Sequence, residues 1–159
     1  MTISDSCVPL WDNGTQKLYA IAVSPDRQYR YYDGIPCITI GFLYEDAFFK
    51  GYDSFTFFDT HYTKLISTIK ATYQSLNGHI RLYDVGGDTD GYIEIDASDG
   101  KLSLHGQLGA SFSQFSLKFS LNADQTLLNS LLSCIKIKNA SLVGGLDNVV
   151  RCFGSHTNG

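Results

Sequence analysis

Asp84, Asp88 and Asp90 in the run DVGGDTDG form the densest group of hard metal ligands in the chain. A hard divalent cation takes several carboxylate oxygens from one short loop, so this run is the first place to look for one. The spacing does not match an EF-hand loop, because glycine is missing at the sixth position and the closing glutamate is absent. Aspartate and glycine are also what an exposed turn between two strands uses. No metal is expected.

Acid-base chemistry has one candidate. His61, His79, His105 and His156 are scattered, but strand alternation places His105 on the same face as Glu94 and Asp96. A histidine beside a carboxylate can move protons. On an open sheet the same residues form a cross-strand contact. No GxSxG, HExxH, P-loop or GxGxxG motif occurs. Cys7, Cys37, Cys134 and Cys152 are widely separated, without a CxxC pair or a histidine at ligand spacing, which points to buried thiols and away from structural zinc. No cofactor and no catalytic residue is therefore assigned.

The elements that position these residues are legible from hydrophobic period. Gln16 to Val23, Gln28 to Tyr32 and Cys37 to Tyr44, separated by Ser-Pro-Asp and Asp33-Gly34-Ile35-Pro36, read as a three-stranded meander. Tyr52 to Phe58 adds a strand after a Lys50-Gly51 turn. Tyr62, Leu65, Ile66, Ile69, Tyr73 and Leu76 then fall on one helical stripe, with Asp59 or Thr60 as the cap and Asn77-Gly78 as a left-handed stop. Ile80 and Leu82, then Ile93, Ile95 and Ala97, then Leu102, Leu104 and Leu108 return to period two. Asp99-Gly100 tolerates positive φ at both turn positions, so Tyr92 to Leu108 is a hairpin with a two-residue loop.

Phe112 to Leu121 completes a second meander, with Phe115, Leu117, Phe119 and Leu121 on its apolar face. Leu127, Leu128, Leu131, Leu132 and Ile135 then mark a second helix, capped by Asn122 or Asp124. The tail after Asn139 adds at most one short element. The sum is a single α+β domain over residues 1–159. It is an antiparallel twisted sheet, or equally a half-barrel, of about seven or eight strands in two meanders with two helices packed on one face.

Composition bounds the function. Ten Tyr, 10 Phe and 15 Gly against 18% charged residues favour sheet and turns. A net charge of −4 with no basic run disfavours direct nucleic-acid binding. The opening MTISDSCVPLWDNG has no basic stretch followed by an apolar core, and no apolar run approaches the roughly 20 residues of a bilayer span. A cytoplasmic protein without a membrane partner is expected.

Two surfaces invite a protein partner. Tyr83, Tyr92, Glu94, Asp96, Ser98, Ser103, His105 and Gln107 should point away from the apolar side of the central hairpin, with the acidic loop Asp84 to Asp90 beside them. Aromatics also crowd two turns: Tyr29, Tyr31 and Tyr32, and then Phe48, Phe49, Tyr52, Phe55, Phe57 and Phe58. Successive aromatics in one strand cannot all face the core, so they form either an interface or a thick core with hydroxyls at its rim.

The order of these features resembles the WapI-like immunity proteins of bacterial polymorphic-toxin and contact-dependent growth inhibition systems. FFKGYDSFTFF leads into a helix carrying LISTIKATYQSLNG. Gly-His-Ile-Arg-Leu and the acidic hairpin GYIEIDASDGKLSLHGQL follow, and then FSLKFSLNADQTLLNSLL with its Asp124-Gln125-Thr126 junction. The likeness covers roughly residues 38 to 137. It implies a cytosolic antitoxin without chemistry of its own, which binds a cognate toxin domain, usually a nuclease, and blocks its active site. An acidic inhibitor suits such a basic partner. Tyr83, Asp84, Asp88, Asp90, Tyr92, Glu94, Asp96 and His105 would then form the toxin contact. The alternative is a small-ligand-binding or hydrolytic α+β domain using the His/Glu/Asp sheet face.

Overall fold

The structure, a computed structural model, describes residues 7–22, 30–32 and 35–134. The expectations placed on the Ser-Pro-Asp and Asp33-Gly34 turns, on the side chains of Tyr29, Tyr31 and Tyr32, on Ile135 and the tail, and on Cys152 and His156 fall outside those residues. The described strands form two antiparallel sheets, with no closed barrel among them, and the fold is α+β.

The first sheet contains β1 (Cys7–Asp12), β2 (Lys17–Ala22), β3 (Arg30–Tyr32), β4 (Ile35–Glu45) and β5 (Lys50–Phe58). Its organiser is β4, an almost unbroken apolar run that suits a central strand covered on both faces. Eleven residues are long enough to serve two short strands in tandem on one edge. β3 pairs with Ile35 to Cys37 and β2 with Ile40 to Glu45, while β5 takes the other edge from Cys37 to Glu45. The expected meander through β2, β3 and β4 is thus corrected, since β2 and β4 pair directly.

β5 also starts earlier than its sequence suggested. Lys50 and Gly51 pair with Glu45 and Tyr44 inside the ladder. The turn falls instead at residues 46–49, where Asp46 Oδ1 accepts the N–H groups of Phe48 and Phe49.

β5 passes without a break into α1 (Asp59–Ser75). That leaves no room for a side-chain cap: Phe58 takes the N-cap position, and Asp59 stands in the first turn, favourably placed for the helix dipole. The buried stripe is Tyr62, Leu65, Ile66, Ile69 and Thr72, whereas Tyr73 and Leu76 are exposed. Thr72 is tolerated inside because its hydroxyl donates to the Thr68 carbonyl. The left-handed residue at the end is Leu76, at φ 61, not Asn77 or Gly78. Gly78 is needed for close approach, since a Cβ there would lie 2.6 Å from Thr72 Oγ1.

The second sheet is a simple meander of β6 (Gly78–Tyr83), β7 (Tyr92–Ser98), β8 (Lys101–Leu108) and β9 (Leu117–Asp124). Asp99 and Gly100 both have positive φ, 50 and 78, as the two-residue hairpin requires. The second helix, α2, is described over residues 126–134. Asp124 is its cap: Oδ1 accepts the Thr126 N–H at 2.9 Å, and Asn122 lies within β9 opposite Ser103. Phe115 does not join the apolar face of β9. It lies in the turn before the strand and is 83% exposed.

Both sheets and both helices contribute to one hydrophobic cluster, from Ile38, Ile40 and Phe42 through Ile93, Ile95 and Leu104 to Leu127, Leu128 and Leu131. Tyr44 of β4 stacks on Phe119 of β9 at 4.7 Å, joining the two sheets. Cys37 and Cys134 are buried and Cys7 half-buried. No described helix is long and apolar enough to cross a membrane.

Candidate functional site

The inner face of the second sheet is core, so alternation sends the odd residues of β6 and β8 and the even residues of β7 and β9 outward. Their register builds rows across the sheet. His79, Asp96, Ser103 and Asn122 form one row, and Arg81, Glu94, His105 and Ser120 the next. Tyr83, Tyr92, Gln107 and Lys118 form the third.

The rows are tied by side chains. In the middle row Arg81 Nη1 donates to Glu94 Oε1 at 2.5 Å, and His105 Nε2 lies 2.8 Å from Glu94 Oε2. Glu94 therefore holds a cation-capable partner on each flank. The guanidinium of Arg81 also sits 4.9 Å from the Tyr92 ring centre and 5.9 Å from that of Tyr83, and the Tyr92 ring meets His105 edge-on. In the first row His79 Nδ1 lies 2.6 Å from Asp96 Oδ1.

Two sequence expectations change here. Glu94, Asp96 and His105 do not converge: Asp96 pairs with His79, and of the two carboxylates His105 meets Glu94. The face is also mixed rather than acidic, because Arg81, Lys118 and Lys101 stand among the carboxylates. Gln107 points outward by register yet is buried, donating to Asp90 Oδ1 and to the Gly109 carbonyl under the bordering turn.

The aspartates of residues 84–90 serve the fold. Asp84 is only 7% exposed; its Oδ1 accepts the Thr56 N–H of β5, and its Oδ2 accepts those of Asp88 and Thr89. A carboxylate holding three backbone amides has little capacity left for a metal or a partner. Asp90 accepts from the Ser111 hydroxyl and amide, which hold its carboxyl below the usual range. Asp88 remains exposed on the loop. Among the described residues no group of three or more His, Cys, Asp or Glu side chains is arranged to hold a metal ion.

Asp53, not singled out from the sequence, completes this knot. Its Oδ2 accepts the Thr89 hydroxyl and the Gly109 N–H, so one carboxylate ties β5 to two loops of the second sheet. His79 and Arg81 were also missed as surface residues, although they flank Ile80 and alternation already sends them outward.

The aromatic turns resolve into two kinds. Phe42, Phe55 and Phe57 are core, while Phe48, Phe49, Phe112 and Phe115 are exposed, the first by 87%. Phe49, Tyr52 and Phe115 line one open groove of about 320 Å³ between the 46–49 turn and the segment before β9.

No protein-family model matches the chain, and no curated protein matches it. Among solved structures the chain has a likeness to a chain in the crystal structures of Trypanosoma bruciei MRP1/MRP2. The identity is 12% and the TM-score 0.41, over 81% of this chain and 86% of that one, and at that score the likeness supports no conclusion.

Proposed function

We propose that the protein is a cytosolic immunity protein that binds a cognate toxin domain, a nuclease, and covers that domain's active site, with no chemistry of its own. The observation that carries this reading is the outer face of β6–β9. It presents Tyr83, Arg81, His79, Asp96 and His105 to solvent, already held in cross-strand contacts. Side chains fixed before encounter lose less entropy on binding, and Tyr and Arg are the residue types that anchor protein interfaces.

Of the residues expected at the contact, Tyr83, Tyr92, Glu94, Asp96 and His105 share this face. Asp88 and Asp90 border it, and Asp84 is withdrawn because it is spent inside the loop. Phe112 and Phe115, in the segment between β8 and β9, are further exposed apolar side chains. Attraction to a basic nuclease rests on the net charge of −4 and acts at long range. A face of both signs supplies discrimination between toxins at contact.

The test is co-expression with the C-terminal domain of a secreted toxin encoded next to this gene. A stable complex and loss of toxicity are expected. A purified protein that neither binds nor neutralises that domain would end the proposal.

A further inference from the structure

The chain crosses between the sheets through β5, α1 and β6, and the two sheets part alongside β6. Just past that strand Val85 donates its N–H to the Thr56 carbonyl. Among the described residues, no backbone hydrogen bond outside the ladder to β7 involves residues 78–83. Among the described strands β6 is therefore terminal in its sheet, with one row of backbone groups turned away from β7.

A cleft of about 180 Å³ lies beside that edge. One wall is a helical stripe of α1 at i, i+3, i+4 and i+7, namely His61, Lys64, Leu65 and Thr68; the other is β6, with Phe57 and Val85 also lining it. The volume is below the roughly 300 to 1,000 Å³ of pockets that enclose drug-sized ligands. It suits the side chains of an added strand, which enter one at a time on alternate residues.

Charge selects the occupant. Among the described residues, His61, Lys64 and Arg81 line the cleft and no carboxylate does. Arg81 is partly neutralised by Glu94, but no ion pair among the described residues involves Lys64.

We propose that this cleft binds an extended acidic peptide segment of a partner protein, which adds to the edge of β6 as a further strand with its acidic side chains toward Lys64 and His61. The cleft shares Arg81 and Tyr83 with the border of the outer face, but His61, Lys64, Leu65 and Thr68 belong to α1, so the inference stands whether or not the partner of that face is a toxin.

The probe is a set of short peptides, blocked at both ends, in which valine alternates with glutamate, lysine or serine. Binding to the intact protein is read by fluorescence anisotropy at low salt. The glutamate peptide should bind best and the lysine peptide worst. The exposed substitution Lys64→Glu should weaken the glutamate peptide by about tenfold or more and reverse the preference. N-methylation of alternate backbone nitrogens should abolish binding of the glutamate peptide by removing its ladder donors. No binding by any peptide, equal binding by all three, or an unchanged affinity for Lys64→Glu would overturn the acidic occupant. Equal binding of the N-methylated peptide would overturn strand addition.

Discussion

In the loop between β6 and β7, Asp84 turns inward and accepts three backbone N–H groups, one of them from the other sheet. On the outer face of β6–β9, a few residues away in sequence, Glu94 and Asp96 accept from side chains of neighbouring strands and stay partly in water. Both regions are acidic in sequence, and their carboxylates do different work. Backbone amides cannot move away from a carboxylate without unfolding something, so the loop carboxylates hold the architecture. Side chains can change partners, which leaves the sheet face available for recognition. Acidic density in sequence therefore locates a knot in one place and a surface in the other.

The largest test of that difference is Asp84→Ala, which strands buried amides of β5 and of the loop. Stability should fall by about 2 kcal/mol or more in denaturant unfolding. A loss under about 0.5 kcal/mol would erase the distinction, since that is the range of an ordinary surface change. Asp53→Ala should follow, at about 1 to 2 kcal/mol, because Thr89 and Gly109 lose a shared acceptor. Coupling between Asp53 and Asp84 in a double-mutant cycle would show that they form one unit through Thr89.

Glu94→Gln should cost about 1 kcal/mol or less and lose most of that cost in high salt, as exposed ion pairs do. A cost as large as that of Asp84→Ala would mean that the face is also architectural. The smallest effect concerns pH. Ser111 holds the Asp90 carboxyl below its usual range, and Thr126 does the same for Asp124. A depressed folded value means stability that is present above the unfolded carboxylate range, near pH 3.9, and lost as pH falls through the folded value. Asp90→Asn should therefore lower stability slightly at neutral pH and flatten the acid limb, so that the two profiles converge at low pH. A loss of the same size at low and neutral pH, or no loss at neutral pH, would contradict that assignment.

The second sheet was legible because one dipeptide fixes it. Once Asp99-Gly100 is a two-residue turn, Ser98 must face Lys101, and every later pair follows by counting, down to Glu94 opposite His105. The first sheet had no such anchor. β1 went unread, since Pro9 and the run Asp12-Asn13-Gly14 interrupt any alternation. The sharing of one β4 edge by β2 and β3 is tertiary, and no local pattern encodes it.

The helix stop was misplaced for a related reason. Asn77 is occupied in accepting the Asp99 N–H, and Gly100 donates to the Leu76 carbonyl, so a contact with a turn more than 20 residues away bends the chain at Leu76. The site residues on the sheet were legible by alternation, their partners only by register. That Asp84 lies inside and Phe115 outside depends on where two loops close, which spacing does not reveal.

The most direct measurement is calorimetric titration of the neighbouring-gene toxin domain into the protein and into the double substitution Tyr83→Ala with His105→Ala, after thermal melts show both forms folded. If the outer face is the contact, the double substitution should weaken binding by tenfold or more, equivalent to about 1.4 kcal/mol. Affinity equal to that of the unaltered protein would show that the toxin domain binds elsewhere.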